Sequence, residues 1–243
     1  MKTYFACIVS CCAGLLLTCG SAGASVIYQT GFESPTFSPG VIGGQGTWVD
    51  NNSGNALVQS PVAASGSQAL LLQHTGFDFA DKFFDAPGAG KVFTFAVDHL
   101  HSGTGGQSGM GAYGDDERFI ANVGYRDGGL FAGNRNASSA TPIPAVNNVW
   151  YHLVLTLDFN TLTTYGTANG ESLGAPLPMI LPTSGVIPAA WTKLMLVGIQ
   201  TTGGENMHYY DNLVISSVPE PQAAALLGTA ALGVFRRRRA LRA

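Results

Sequence analysis

Fifteen acidic side chains and five histidines carry whatever acid–base chemistry this 243-residue chain can perform. A glycosidase needs two carboxyl groups straddling the scissile bond, about 5 to 5.5 Å apart for retention. On a sandwich strand that requirement reads as Glu-x-Asp-x-x-Glu, and no such spacing occurs. Asp115-Asp116-Glu117 is the one acidic cluster. Adjacent strand residues point to opposite faces, so these three read as solvated charges capping the glycine-rich loop Ser102 to Gly114, with a cation or sugar contact as the alternative. Among His74, His99, His101, His152 and His208, only His99 and His101 share the i, i+2 spacing that places two imidazoles on one strand face. That pair could begin a zinc site, but no third ligand stands nearby and Asp98 falls on the opposite face, so a structural or surface role is expected. No Gly-x-Ser-x-Gly elbow is present, and the glycine-rich stretch lacks the Gly-Lys-Ser/Thr of a phosphate loop. A polysaccharide hydrolase or lyase is therefore the weakest functional reading.

All four cysteines lie within the first 24 residues, so a chain that loses this segment has no disulfide, thiolate metal site or cysteine nucleophile. Between residues 25 and 221, six Lys and Arg stand against fifteen Asp and Glu, a net charge of −9. Nucleic acid is accordingly excluded as a partner, because phosphate neutralisation needs the opposite sign. Sugar recognition would need aromatic rings exposed on a sheet face or loop tip. Trp48, Tyr113, Tyr125, Trp191 and Tyr209 are the candidates, with Trp48 and Trp191 leaning towards burial. Trp150 is expected to be buried.

The elements that must position these groups are strands. From Ser25 to Ser217 short apolar or alternating segments recur between Gly, Asn, Asp, Ser and Pro clusters, without a run of helical periodicity. The clearest are Ser25–Gln29, Ala56–Gln59, Gln68–His74, Lys91–His101, Arg118–Tyr125, Trp150–Phe159, Leu162–Ala168, Lys193–Ile199 and His208–Ile215. In the Trp150 segment, Tyr151, Leu153, Leu155 and Leu157 share one face, opposite His152, Thr156 and Asp158. Phe93, Phe95 and Val97 likewise oppose Thr94 and Asp98. Half-apolar strands in this number must bury one face each, which predicts an all-β fold of two packed antiparallel sheets, a jelly roll of about 195 residues.

The two ends read as addresses. Met1-Lys2, the apolar run Phe5 to Leu17 and the small residues Ala22-Gly23-Ala24 predict a signal peptide over residues 1–24, cut between Ala24 and Ser25 by signal peptidase. At the other end, Val218-Pro219-Glu220-Pro221 precedes an apolar stretch, Gln222 to Phe235, and then Arg236, Arg237, Arg238 and Arg239. The prolines hold the tetrapeptide extended for a protease cleft. Fourteen helical residues reach about 21 Å, short of the roughly 30 Å of membrane hydrocarbon, so the helix spans only with help from snorkelling arginines. The arginines keep their end cytoplasmic and leave the body across the inner membrane. This three-part tail, residues 218–243, resembles the PEP-CTERM sorting signal. The resemblance implies an exosortase-like membrane protease as partner, transient anchoring, and delivery to a cell surface or an exopolysaccharide-rich matrix or biofilm.

Residues 25–217 in turn resemble concanavalin A-like, laminin-G-like jelly rolls. The resemblance rests on Gly31-Phe32-Glu33, Gly66 to Leu72, Trp150 to Asp158 and Tyr209 to Ile215. Carbohydrate-binding modules of similar architecture bring the first and last strands together, which would place Glu33 near Asp211 and suggests a structural calcium ion. The alternative makes Glu33 a turn residue and Asp211 a local pairing partner. The expectation is a non-enzymatic exported surface or matrix protein; the alternative is a lectin-like module for exopolysaccharide.

Overall fold

A computed structural model describes residues 24–218 apart from 52–53, 74–75, 86–91, 104, 115–116, 135–142, 180–188 and 200–205. The expected signal segment before Ala24, the tail residues Pro219, Glu220 and Pro221, and Arg236 to Arg239 lie outside the described residues, as do Asp115 and Asp116. Ser25–Val218 clusters as one compact unit.

In chain order the described strands are β1 (Ser25–Thr30), β2 (Gly40–Val41), β3 (Trp48–Asp50), β4 (Ala56–Gln59), β5 (Ala69–Gln73), β6 (Phe77–Phe83), β7 (Val92–Ser102), β8 (Gln107–Gly114), β9 (Phe119–Arg126), β10 (Gly129–Asn134), β11 (Ile143–Pro144), β12 (Trp150–Asp158), β13 (Thr163–Ala168), β14 (Glu171–Ser172), β15 (Leu177–Pro178), β16 (Trp191–Ile199) and β17 (Met207–Val218). They form two antiparallel sheets. The first runs β14-β13-β12-β7-β17-β5-β4-β2, with β1 beside β17 and β15 beside β13; the second runs β11-β10-β9-β8-β16-β6-β3. The predicted all-β two-sheet sandwich is present, and no helix occurs among the described residues.

The alternation read in β7 and β12 is what packs the sheets together. Phe93, Phe95 and Val97 and their neighbours Leu153, Leu155 and Leu157 are all buried, facing Leu194 and Leu196 of β16. Trp191 fills the centre of one end, with ring centroids 4.7 Å from Phe95, 5.0 Å from Phe84 and 5.7 Å from Phe93. Trp48 is buried against Phe32 and donates its indole N–H to the Tyr28 hydroxyl at 3.0 Å. Both rings add edge contacts to the area they remove from water.

Two departures from the sequence reading occur in the second sheet. The stretch expected to be a glycine-rich loop contains β8, whose Ser108, Met110 and Ala112 are buried on the inner face. Glycine serves there because the backbones approach closely. A Cβ on Gly124 would lie 1.9 Å from the Ser108 carbonyl oxygen of the facing strand. β6 is absent from the strands read in the sequence, and it reverses the usual apolar-inward order: Phe77 and Phe83 are 45% and 53% exposed, whereas Asp78 and Lys82 are buried at 2% and 7%. The Lys82 ammonium donates to the Gly46 carbonyl at 2.6 Å and to the Thr47 hydroxyl, and lies 4.9 Å from the Tyr28 ring. Burial pushes its pKa down.

Candidate functional site

β17 carries the residues that hold one end of the first sheet together. Its period of two sends His208 and Tyr210 into the core and Tyr209 outward, and a bulge between Asp211 and Val214 follows. Asn212 sits at the bulge with φ of 49°. That left-handed turn is one that asparagine tolerates better than most residues.

On the outer face a polar belt runs from β12 across β7 to β17 and a loop. The Asp98 carboxylate accepts a bond from His152 Nδ1 at 2.7 Å on Oδ1 and one from Asn212 Nδ2 at 2.7 Å on Oδ2. Asn212 Oδ1 accepts from the Ser65 hydroxyl at 2.8 Å. Asp211 Oδ2 accepts the backbone N–H groups of Ala64 and Ser65, each at 3.0 Å, and its Oδ1 accepts the N–H of Asn212 at 2.7 Å. Glu33 Oε1 accepts the N–H groups of Ser67 and Gln68 at 2.6 and 2.8 Å, and its Oε2 the Ser67 hydroxyl at 2.7 Å. These Ser67 bonds hold the Glu33 carboxyl below its ordinary pKa. Burial pushes Asp211 up, against the pull of its N–H donors.

Glu33 and Asp211 are therefore brought to one place. A Cβ on Gly31 would lie 3.4 Å from Asp211 Oδ1 and 3.7 Å from Glu33 Cγ. All four carboxylate oxygens already accept hydrogen bonds from the 64–68 loop or from Asn212, and the arrangement is a clamp on that loop. A calcium ion would have to share these oxygens with N–H donors, so the donor set as it stands does not fit a cation cage. Among the described residues no three His, Cys, Asp or Glu side chains gather as metal ligands. An open cleft of about 480 Å³ adjoins the clamp, lined in part by Thr30, Glu33, Thr36 and Asn212.

Beside the belt lies an apolar row. Trp150, Leu100 and Tyr209 are ladder neighbours, and Tyr209 is in turn opposite Leu71. Leu71, Leu100 and Tyr209 are 6–8% exposed and pack with Val62 and the half-buried Trp150. Trp150 is thus on the outer face rather than in the main core, a correction to the expected burial. The reason is phase: it precedes the inward Tyr151 and shares its side of the sheet with His152. Of the other aromatic candidates, Trp48, Trp191, Tyr125 and Tyr209 are buried. Tyr113 remains half-buried, its hydroxyl donating to Met195 Sδ at 3.5 Å.

On the inner face at the same end, His99 and His101 do share one side of β7, as their spacing predicts. They are 0% and 4% exposed, so the role is internal and not on the surface. They do not form a pair with each other. His101 Nδ1 meets His208 Nδ1 at 3.1 Å across the ladder, and His99 Nε2 meets the Ser108 hydroxyl at 2.9 Å. Tyr210 pins the two sheets: its hydroxyl accepts the Gly109 N–H at 2.9 Å and lies 2.5 Å from the Val197 carbonyl. His208 and Tyr210 were not singled out as a site from sequence. The signal available was the alternation of His208 and Tyr210 with the outward Tyr209 and Asp211 at the start of the last strand.

With this geometry in place, comparison with known proteins shows fold alone. No family model matches, and no curated protein matches in sequence. Among solved structures the chain is similar to a sialidase (TM-score 0.53, 13% identity, covering 70% of this chain and 17% of that one). It is also similar to a botulinum neurotoxin type C structure described as dependent on two ganglioside molecules for cell entry (TM-score 0.53, 10% identity, 85% and 51% covered). A third likeness is to the Crh5 transglycosylase (TM-score 0.52, 14% identity, 83% and 87% covered). The chain spans about half of the toxin structure and a smaller part of the sialidase. The class these observations define is an antiparallel two-sheet β-sandwich of jelly-roll type.

Proposed function

We propose that this chain is an exported, non-catalytic jelly-roll protein, carried across the inner membrane by a signal peptide and sorted to the cell surface or matrix through its C-terminal tail. Signal peptidase would cut before Ser25, and an exosortase-like protease would read Val218, Pro219, Glu220 and Pro221 while Arg236 to Arg239 hold the anchor. The observation that supports this most is the position of the ends. The first and last strands pair with each other, Ser25 opposite Ser217, with their hydroxyls 2.8 Å apart. Val218 is the last ladder residue, opposite Val92. Both cuts would thus fall just outside the ladder, and neither would remove a strand. Mass spectrometry of both termini of the exported material tests the reading. New ends at Ser25 and near Pro219–Pro221 are expected, and intact ends in a soluble cytosolic chain would reject it. Replacing the four arginines with glutamine should impair sorting, as read by cell fractionation.

The outer face of the ten-stranded sheet favours a second reading, binding of matrix polysaccharide. Trp150 offers a ring there beside His152 and Asp98, at the spacing of alternate strand residues. Among the described residues the strands of this sheet contain no Lys or Arg, so a neutral glycan suits it better than an acidic one. Glycan binding by the full chain that is lost in Trp150→Ala would support this, and binding unchanged in that variant would reject the site. The calcium ion that the resemblance suggests at Glu33 and Asp211 forms no part of this reading, because every oxygen of the two carboxylates already accepts a hydrogen bond; an unfolding midpoint raised by calcium and lowered by chelator would overturn that.

A further inference from the structure

His99, His101 and His208 come from two adjacent strands and lie together where the sheets close at one end. The His101 and His208 rings are 5.0 Å apart and nearly parallel, His101 stacks on Tyr125 at 3.8 Å, and His99 lies 5.1 Å from Tyr210. The contact with the second sheet is tight, because a Cβ on Gly198 would come within 2.5 Å of the His208 ring. A neutral imidazole has one donor and one acceptor, whereas a protonated one has two donors to satisfy. The cluster offers little for a second donor. His99 Nδ1 and His101 Nε2 are buried without a hydrogen-bond partner.

The groups facing the imidazoles are, element by element, mostly neutral. β17 supplies Tyr210, β8 Ser108, β9 Tyr125 and β16 Gly198. β12 places Tyr151 opposite His99, with its hydroxyl accepting the Val146 N–H. The segments at the end contribute the Gly103 carbonyl and the buried Asn206. The one charged group facing from β6 is Asp78, opposite Gly198 in the ladder, buried and engaged in contacts of its own. Three imidazolium charges in this space would repel one another, with at most one carboxylate among the described residues to answer them.

We propose that the His99–His101–His208 cluster is an acid-sensitive latch between the two sheets: neutral imidazoles keep this end of the sandwich closed, and mild acid makes its transient opening more frequent while the core around Leu155 stays packed. Burial holds His101 down to about 4 against the opposing pull of the Gly103 carbonyl, and burial reinforced by the neighbouring imidazoles holds His208 down to about 3 and His99 well below its ordinary value. In an opened state the same rings titrate near about 6.5. Between these limits the opened state binds more protons than the closed one. The latch is therefore at full strength above about pH 6.5 and weakens as pH falls towards about 4, by up to tenfold per pH unit for each histidine. Asp81 and Asp211, which burial pushes up, work in the opposite sense at the lower end of that window.

Hydrogen exchange on the full chain from pH 7.5 to 4.5, corrected for intrinsic rates, tests this. Amides of residues 99–102, 107–110 and 206–210 should show an opening constant rising by at least about 100-fold from pH 6.5 to 5. Those of residues 153–157 should change by less than about threefold, since opening there takes up no protons. His101→Gln with His208→Gln should remove about two of the three protons from the slope, whereas His152→Gln on the outer face should leave it unchanged. If the double variant does not fold, ring titration of the unmodified chain by NMR decides: the three inner imidazoles should still be neutral at pH 5. An equal rise in both sets of amides, a slope of less than one proton, or inner rings titrating at pH 6 or above would overturn the proposal.

Discussion

The two faces of the β7–β17 ladder treat titratable side chains in opposite ways. Inside, three imidazoles are stripped of water and kept neutral, with ring nitrogens left unpartnered. Outside, three residues beyond His208 on the same strand, Asp211 keeps its carboxylate and fills both oxygens with N–H donors. Burial alone does not separate them, since Asp211 is itself 0% exposed. What differs is the supply of backbone donors. The 64–68 loop presents several N–H groups to the outer face, while on the inner face the backbone groups that the second sheet offers, the Gly109 N–H and the Val197 carbonyl, are taken by Tyr210 and leave none for His99 Nδ1 or His101 Nε2.

That contrast can be broken from either side. The largest effect is expected from Tyr210→Phe, which strands the Gly109 N–H and the Val197 carbonyl inside the sandwich. It should lower stability at pH 7.5 by about 2 to 3 kcal/mol in urea unfolding. Asp211→Asn would set an amide against two N–H donors and should cost about 1 to 2 kcal/mol. Its signature should be early exchange and proteolysis at Ala64–Gln68, with little change at residues 153–157. Glu33→Gln should cost about 1 kcal/mol or less, because the site is partly open to water. The Glu33 carboxyl titrates below its unfolded value, so its contribution is present above that value and lost as pH falls through the lowered one. The variant should therefore lose part of the acid sensitivity below about pH 4.5 in a pH series of unfolding midpoints. The smallest effect is expected from His152→Ala, an exposed partner of Asp98, at below about 0.5 kcal/mol. A large loss there would mean that the outer belt, not the inner cluster, holds this end together.

The residue patterns of the first sheet were readable because its strands obey the simple rule. Apolar residues at alternate positions of β7 and β12 face the core, and the i, i+2 spacing put His99 and His101 on the side where they are found. Glu33 and Asp211 also meet at one loop, as the pairing of first and last strands requires. The second sheet was harder to read. β8 is hard to read because its middle outward positions, Gly109 and Gly111, are glycines, which weaken any strand signal, although its inward Ser108, Met110 and Ala112 are well buried. Trp150 lies on the outer face although tryptophans of a sandwich are mostly core residues, because it stands next to the inward Tyr151.

What residue order alone determined is the list of strands with a strong period of two and the relative phase of side chains within each. That information is local, because alternation is a property of the extended backbone. Which phase is inside depends on what lies across the sandwich, and only the tertiary structure decided it. β6 shows this most clearly: its Phe77 and Phe83 face outward because Lys82 finds the Gly46 carbonyl and the Tyr28 ring on the inner side. The meeting of His101 with His208, 107 residues away, was settled in the same manner by strand register. No local pattern could carry it, because the neighbour of a strand is chosen by the packing of the whole sheet.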